Sequence, residues 1–131
     1  MSIEEILNQY KNIYVLGLSP KQDRDSYRVA RYLKEHSYNV YGIRPNTTEI
    51  EDTPCFSSIT DIKTEIEILD VFRSPEHIPQ IVDQAIEHGK VKVLWLQLGI
   101  RHPEAEEKAR KAGISVVADH CIKVEHRKLK K

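Results

Sequence analysis

The amino-acid sequence predicts an α/β domain built on a parallel sheet with helices on both faces. Short apolar runs recur along the chain and alternate with segments whose apolar residues follow a helical period. Glycine or proline stands near the end of most of these runs. Strand–helix–strand units of this kind connect through right-handed crossovers, which makes their strands parallel. The chain has 131 residues, a length typical of one domain, so residues 1–131 are expected to form a single domain.

The chain opens with a short helix and a buried strand. Ser2 and Glu5 have the spacing of a capping box, which predicts a helix over residues 1–10 with Ser2 as its N-cap. Residues 13–18 are almost continuously apolar and reach Gly17 near their end. Burial on both faces is typical of a central parallel strand, so we place the first strand here.

The remaining elements follow from the same patterns. Gly89 and Gly113 stand directly after two helical segments, where glycine favours the left-handed cap, and Pro103 opens one of them. The charged tail, residues 125–131, is expected to be frayed. Five further strands are predicted over residues 40–43, 54–56, 66–72, 91–98 and 114–118, and three further helices over residues 26–36, 75–88 and 103–112.

The predicted strands, numbered along the chain, are expected in the order 3-2-1-4-5-6, which makes a three-layer, Rossmann-like sheet. In such sheets a ligand binds outside the carboxyl ends of the strands, at the point where the strand order reverses. This point lies between the first and fourth predicted strands. The loops that follow the strands are therefore the place to look for a site.

Composition excludes several classes of partner. Lys and Arg number 20 and Asp and Glu number 20, so the formal net charge is zero. Binders of nucleic acid or of anionic membranes usually carry a basic excess, so neither partner is expected. The first residues lack the basic and apolar regions of a signal peptide, and no apolar run approaches the length that spans a bilayer. A cytoplasmic protein is expected.

The cysteines and histidines indicate no metal site. Cys55 and Cys121 are far apart in sequence, and none of the 6 histidines stands at the spacing of metal ligands. The run Asp119–Cys121 holds the residue types of a nucleophilic triad. Neighbours on a strand point to opposite faces, so these residues cannot form a triad among themselves. We assign no catalytic residue.

Polar loops after the strands predict an anionic ligand. Arg44, Arg73 and Arg101 each stand near the end of a predicted strand. The first loop adds Ser19, and Ser26 stands at the start of the following helix, whose free amides also favour phosphate. Convergence of these groups on one edge of the sheet favours a phosphate-bearing ligand.

The first loop and the end of the second strand narrow the choice of anion. The dinucleotide fingerprint GxGxxG is absent, because only Gly17 stands where three glycines are expected. NAD sites also place an acidic residue at the end of the second strand, where this chain has Arg44. A cation there suits an extra phosphate on the ribose. Both the 2′-phosphate of NADP and the 3′-phosphate of coenzyme A meet this description.

Several motifs together resemble one family. Gly17–Pro20, with Asp23, Arg24 and residues 26–30, resembles the first strand–helix unit of the small stand-alone CoA-binding proteins. These are similar to the CoA-binding domain of succinyl-CoA synthetase. The resemblance covers roughly residues 10–127 and continues through residues 70–73, 95–100 and 119–123.

The resemblance implies that coenzyme A lies across the strand ends. Its phosphates would meet Gly17, Leu18, Ser19, Pro20, Arg24, Ser26 and Tyr27. Its ribose and 3′-phosphate would lie near Arg44, Pro45 and Asn46, and its adenine near Phe72, Arg73 and Pro75. The pantetheine arm would run towards Gln97 and Gly99.

The leading hypothesis is a non-catalytic module that binds coenzyme A or an acyl-CoA. A thiol-redox regulator, in which Cys121 pairs with the thiol of coenzyme A, is a further hypothesis. The alternative from the enzyme class is an NADP-dependent oxidoreductase domain, although no Tyr-x-x-x-Lys pair is present. A protein partner or a homo-oligomer stays open.

Overall fold

A computed structural model describes residues 1–130 and gives the chain a mainly parallel sheet between two layers of helices. The strands are β1 (Asn12–Leu16), β2 (Asn39–Ile43), β3 (Glu49–Ile50), β4 (Thr53–Phe56), β5 (Ile66–Val71), β6 (Val91–Leu96) and β7 (Ser115–Val117). The helices are α1 (Ile3–Gln9), α2 (Asp25–Glu35), α3 (Ile78–His88), α4 (Pro103–Lys111) and α5 (Ile122–Leu129).

The strand order is β3-β4-β2-β1-β5-β6-β7, and every neighbouring pair is parallel except β3 and β4. The predicted order of the six parallel strands is therefore confirmed. The short antiparallel strand β3 was not predicted, since its two residues are too few for any periodicity to be read. The strand order reverses at β1, which lies between β2 and β5.

Helices cover both faces of the sheet, as predicted. On one face α1, α2 and α5 pack over a core that contains Val15, Ile68 and the fully buried Trp95. On the other face α3 and α4 cover a second core that contains Leu69 and Leu94. The alternation of side chains along each central strand divides the apolar residues between these two cores.

Several element boundaries differ from the prediction. The helix predicted from Pro75 begins as a 3₁₀ turn over Pro75–His77 before α3 continues. The first strand ends at Leu16, because Gly17 adopts a left-handed φ of 91°. The N-terminal helix has its predicted capping box, in which the Glu5 amide donates to Ser2 Oγ over 3.1 Å.

The expectation of a frayed tail is wrong for most of its length. Residues up to Leu129 belong to α5, which begins at Ile122. Ile122 and His126 are one helical turn apart and both are buried, so they bind the helix to the core. Among residues 1–130, no helix is both long enough and apolar enough to cross a membrane.

Candidate functional site

Two adjoining cavities open at the carboxyl ends of β1, β2 and β5, where the strand order reverses. The larger has a volume of about 650 Å³ and the smaller about 460 Å³. Gly17, Arg44 and Phe72, each the residue directly after one of these strands, line both cavities. The site is therefore one elongated depression in two parts, at the edge that the strand order predicts.

Gly17 is required by the close approach of two strand ends. Its amide donates to the Ile43 carbonyl over 3.1 Å, and a Cβ atom on Gly17 would lie 2.7 Å from the Phe72 carbonyl oxygen. Its φ of 91° is also a conformation that residues other than glycine rarely adopt. A side chain here would push β1 and β5 apart at the floor of the site.

The smaller cavity is rich in positive charge. Lys21, Arg24 and Arg44 supply its cations, and Asp25 is its one carboxylate among the residues that the structure describes. The Asp25 carboxylate is paired with Arg28 over 2.6 Å. Arg24 is the N-cap residue of α2, and its side chain, which has only donors, does not cap the first amides of the helix. These amides and cations together suit a phosphate group.

The two serines of this loop hold its shape. Ser26 is buried and its hydroxyl accepts the amide of Ser19 over 3.0 Å. The Ser19 hydroxyl in turn accepts the amide of Lys21 over 3.1 Å. Both serines line the smaller cavity, together with Pro20. The chain from Gly17 to α2 therefore curves round the cavity in a fixed conformation.

Arg44 connects the two cavities. Its guanidinium Nη1 donates to the Leu18 carbonyl over 3.2 Å, and its side chain lines both spaces. Its amide donates to the Phe56 carbonyl over 2.8 Å, which fixes the end of β2 against β4. The cation predicted after the second strand is therefore present at the junction of the site.

The larger cavity has an apolar side and a polar side. Its apolar residues include Ile43, Pro45 and Phe72 at the strand ends. The polar groups that line it, several of which the sequence analysis missed, are Ser57, Ser58, Arg73, His77, Gln80 and Gln84. Such a cavity suits a flat aromatic ring system that has hydrogen-bonding groups along its edge.

The spacing of the missed residues on α3 contained a signal. His77, Gln80 and Gln84 recur at intervals of three and four residues and so share one face of the helix. The sequence analysis used only the apolar residues of this helix, which define its core face, and so did not consider the polar face. Ser57 and Ser58 follow the edge strand β4, which gave no comparable pattern.

Seven predicted site residues lie outside both cavities, and four of these are Leu18, Tyr27, Asn46 and Pro75. The Leu18 side chain is buried in the core and only its carbonyl reaches the site, through Arg44. Tyr27 lines a separate cavity beside β3, and its hydroxyl donates to the Glu51 carboxylate over 2.8 Å. Asn46, on the turn after β2, and Pro75, the first residue of the 3₁₀ turn before α3, are exposed and line neither space.

Gln97, Gly99 and Cys121 lie further along the same sheet edge, beyond the two cavities. The Gln97 side chain is buried, and its Oε1 accepts the Ile122 amide over 3.2 Å. The Gly99 amide donates to Asp119 Oδ1 over 2.7 Å. Cys121 is the half-buried N-cap residue of α5. These residues belong to the corner formed by the loops after β6 and β7.

One buried carboxyl has no partner. Asp70 lies on β5 beside Val15 and Trp95 in the sheet, its side chain is fully buried, and neither oxygen has a hydrogen-bond partner within residues 1–130. Burial raises the pKa of Asp70 well above its usual value. Burial therefore favours the neutral, protonated form of this carboxyl in the folded protein. The described residues contain no group of three His, Cys, Asp or Glu side chains that could hold a metal ion.

Comparison with known proteins identifies the family. The family model described as a CoA binding domain matches residues 11–127. The chain belongs to this CoA-binding family. The match includes the strand ends and loops that line both cavities. The resemblance found in the sequence is therefore confirmed.

Related sequences include a protein of similar length and a much longer ligase. The protein YneT of Bacillus subtilis is 34% identical over 124 residues, which cover 95% of this chain and 91% of YneT. The ADP-forming acetate–CoA ligase of Methanocaldococcus jannaschii is 20% identical over 119 residues. That match covers 86% of this chain but only 17% of the ligase.

Solved structures show the same division. A hypothetical protein from Pyrococcus horikoshii has 41% identity and a TM-score of 0.91, with 98% of this chain and 90% of that protein covered. The dinucleotide-forming acetyl-coenzyme A synthetase 1 of Ca. Korarchaeum cryptofilum has 20% identity and a TM-score of 0.74. The likeness covers 88% of this chain and 27% of the synthetase. This second likeness confirms the α/β fold of the CoA-binding family member.

Proposed function

We propose that this protein binds coenzyme A, or an acyl-CoA, along the carboxyl edge of its sheet, and that it acts as a binding module that turns over no substrate. The observation that carries the proposal is the pair of adjoining cavities that share Gly17, Arg44 and Phe72. One cavity offers cations and the other offers apolar and amide groups. A ligand with phosphates at one point and a base at another matches this division.

The pyrophosphate belongs in the smaller cavity. Lys21 and Arg24 reach it from the loop before α2, and the first amides of that helix add a favourable dipole. Arg44, at the junction of the cavities, is placed to meet the 3′-phosphate on the ribose. Cations are the partners that a phosphate requires, and arginine can bind it through two parallel hydrogen bonds.

The adenine belongs in the larger cavity. Phe72 and Pro45 offer apolar surface to the faces of the base. Gln80 and Gln84 offer donors and acceptors to its edge. From the pyrophosphate the pantetheine arm would continue in the opposite direction, past β6, towards Gln97 and Gly99.

Two other hypotheses use the same edge. An NADP-dependent oxidoreductase domain would fill the two cavities with the adenosine half of NADP, whose 2′-phosphate Arg44 could also meet. A thiol-redox regulator would bind coenzyme A and form a disulfide between its thiol and Cys121 under oxidising conditions. Because this chain matches only 17% of the ADP-forming ligase, we do not propose that it carries out the ligase reaction.

The deciding experiment is a thermal-shift comparison of coenzyme A, 3′-dephospho-CoA, NADP and NAD. A ligand that binds only the folded state at ~100 times its Kd adds about 2.7 kcal/mol to the free energy of unfolding. For a chain of this size that is a rise in melting temperature of several degrees. We expect this rise with coenzyme A and a smaller one with 3′-dephospho-CoA.

The other ligands separate the hypotheses. Stabilisation by NADP alone would favour the oxidoreductase domain and overturn the proposal. No stabilisation by any of the four would also contradict it. The redox hypothesis is tested by mass spectrometry after mild oxidation with coenzyme A, since it requires a mixed disulfide that the Cys121→Ser variant cannot form.

A further inference from the structure

A second group of polar contacts fixes the loop after β7, at the far end of the same sheet edge. The Trp95 indole Nε1 donates to the His120 carbonyl over 2.8 Å, and the Gly99 amide donates to Asp119 Oδ1 over 2.7 Å. Asp119 itself has a left-handed φ of 65°, a conformation that is unusual outside glycine. Contacts on both sides of Asp119 maintain this backbone and hold His120 in one place.

The His120 side chain is oriented by a carboxylate. Its Nδ1 lies 3.2 Å from Glu125 Oε2, on the first turn of α5. The Glu125 side chain is 13% exposed and that of His120 is 45% exposed. When Nδ1 carries the hydrogen and donates it to Glu125, the other ring nitrogen, Nε2, is an acceptor. The structure gives Nε2 no hydrogen-bond partner among residues 1–130.

Charged groups also lie next to the Glu125–His120 pair. Lys128 on α5 lies 3.3 Å from the same Glu125 oxygen. Asp119 precedes His120 and its carboxylate accepts the Gly99 amide, while Arg101 on the loop after β6 is ion-paired with Glu106. Glu125 is therefore the carboxylate in direct contact with the His120 ring.

His120 lies within reach of the ligand's thiol if the ligand is bound as proposed above. The proposed pyrophosphate site is at the loop after β1, and the ends of β1 and β7 are separated by three strand spacings, or about 14 Å. The pantetheine arm consists of the pantoyl, β-alanyl and cysteamine groups, each with four backbone atoms. Its twelve atoms correspond to the backbone of about four residues, which spans about 14 Å when extended. An arm that starts at the cavities and passes Gln97 therefore ends beside the loop that holds His120.

From this arrangement we infer that His120 accepts the proton of the coenzyme A thiol, with Glu125 as its positioning residue. The S–H bond breaks, its electron pair stays on sulfur, and the proton forms a bond to His120 Nε2. The product is a thiolate beside a His120 imidazolium whose Nδ1 is in contact with Glu125. The inference rests on the proposed function, because it requires bound coenzyme A. It goes beyond binding because it makes the bound thiol a better nucleophile.

The test measures the reactivity of the bound thiol against pH. Binding of coenzyme A to the wild type and to H120Q is first established by calorimetry. Each protein in excess then holds coenzyme A while iodoacetamide is added at a series of pH values. Alkylated coenzyme A is quantified after acid quenching, so the protein's own cysteines do not contribute. The midpoint pH of the rate profile reports the pKa of the bound thiol.

We expect the midpoint in the wild-type complex to be lower than in the H120Q complex by about one pH unit or more, which is about ten times more thiolate at a given lower pH. E125Q should raise the midpoint towards that of H120Q, which a merely structural role would not do. H88Q, a substitution remote from this edge, is the matched control and should match the wild type. Equal midpoints in wild type and H120Q, with coenzyme A bound to both, would overturn the inference alone. Failure of both proteins to bind coenzyme A would overturn the proposed function with it.

Discussion

Arg44 stands where a sheet of this type has its ribose-recognition residue. The residue after the second strand contacts the ribose of a bound nucleotide in the general case, and an acidic group there selects an unphosphorylated ribose. Arg44 reverses that charge and lines both cavities. Its main-chain position is fixed by β2 and β4, so the cation is held at the junction without support from a ligand.

Reversal of this charge should weaken coenzyme A binding. We expect Arg44→Glu to weaken binding at least tenfold, or by more than ~1.4 kcal/mol, because a carboxylate would then face the phosphates. The melting temperature without ligand should change little, since the side chain is exposed and makes one hydrogen bond. Calorimetric titration measures the affinity. Arg31→Glu is the matched control, because it makes the same charge change on α2 without lining either cavity. Equal affinity of Arg44→Glu and wild type would contradict the role given to Arg44.

The sequence indicated which loops form the site better than which side chains reach it. Gly17, Arg24, Arg44 and Arg73 were found because they stand within two residues of a strand end or cap a helix, and chain order alone places those positions at one edge. Tyr27 differs because its neighbour Ser26 is about 100° away round α2. That rotation directs the Tyr27 side chain to Glu51, in the turn of the hairpin that β3 and β4 form. The position of this hairpin depends on tertiary packing, which no local sequence pattern predicts.

Helix α5 was missed as an element because its sequence is dominated by charge. Residues 125–131 contain one apolar side chain, Leu129, and the strength of the helix lies in Ile122 and His126, which face the core. His126 is 8% exposed and lies among aromatic rings of neighbouring segments. Its Nδ1 is 2.8 Å from the Tyr32 hydroxyl on α2. A buried histidine can therefore attach a charged helix to a core where apolar periodicity is weak.

This attachment should weaken in acid. Burial, followed by the positive charges of His36, Lys130 and Lys11, lowers the pKa of His126 below its usual 6.5. As the pH falls through the unfolded-state pKa, the unfolded chain takes up a proton that folded His126 does not accept. The free energy of unfolding should therefore fall between about pH 7 and the lower folded-state pKa. Urea denaturation across this range measures the loss.

Two variants isolate the contribution of His126. His126→Phe should cost about 1 kcal/mol at neutral pH through the lost hydrogen bond to Tyr32, and its deficit relative to wild type should shrink on acidification. Tyr32→Phe loses the same hydrogen bond but keeps the titrating ring, so its deficit should stay closer to constant. A His126→Phe deficit that does not change with pH would contradict this account.

At the scale of the whole molecule, the predicted sheet was correct because its rules depend on few features. Apolar runs that alternate with helical segments require parallel strands and right-handed crossovers, and these constraints determine the order round β1. β3 was beyond prediction because only the turn around Glu51 and its pairing with β4 define it. The unpartnered state of Asp70 was equally hidden, since a single acidic residue in an apolar strand does not reveal what packs around it.

Titrating groups change the free energy of unfolding of the whole chain in opposite directions as the pH changes. Burial acts to raise the pKa of Glu106, but hydrogen bonds from Arg101 and the His102 amide outweigh it and lower that pKa overall. Glu106 thus contributes stability that is lost as the pH falls, in the same direction as His126. Asp70 acts in the reverse direction, because its folded-state pKa is raised. Its contribution is lost as the pH rises from its ordinary value of 3.8 through the folded-state pKa.

Replacement of Asp70 by leucine, which has nearly the same shape, should stabilise the protein. At acidic pH, where the carboxyl is neutral in both states, the gain should be about 1–3 kcal/mol, the cost of an unpartnered buried polar group. The gain should grow as the pH rises above 3.8, because the unfolded wild type then ionises while folded Asp70 keeps its proton. Urea denaturation of both proteins from about pH 3 to 8 gives this difference directly, free of the other titrating groups. Asp52→Asn, at an exposed position, should change stability by less than about 0.5 kcal/mol. A difference between Asp70→Leu and wild type that stays constant with pH would mean that the Asp70 carboxyl ionises in the folded protein as easily as in the unfolded chain.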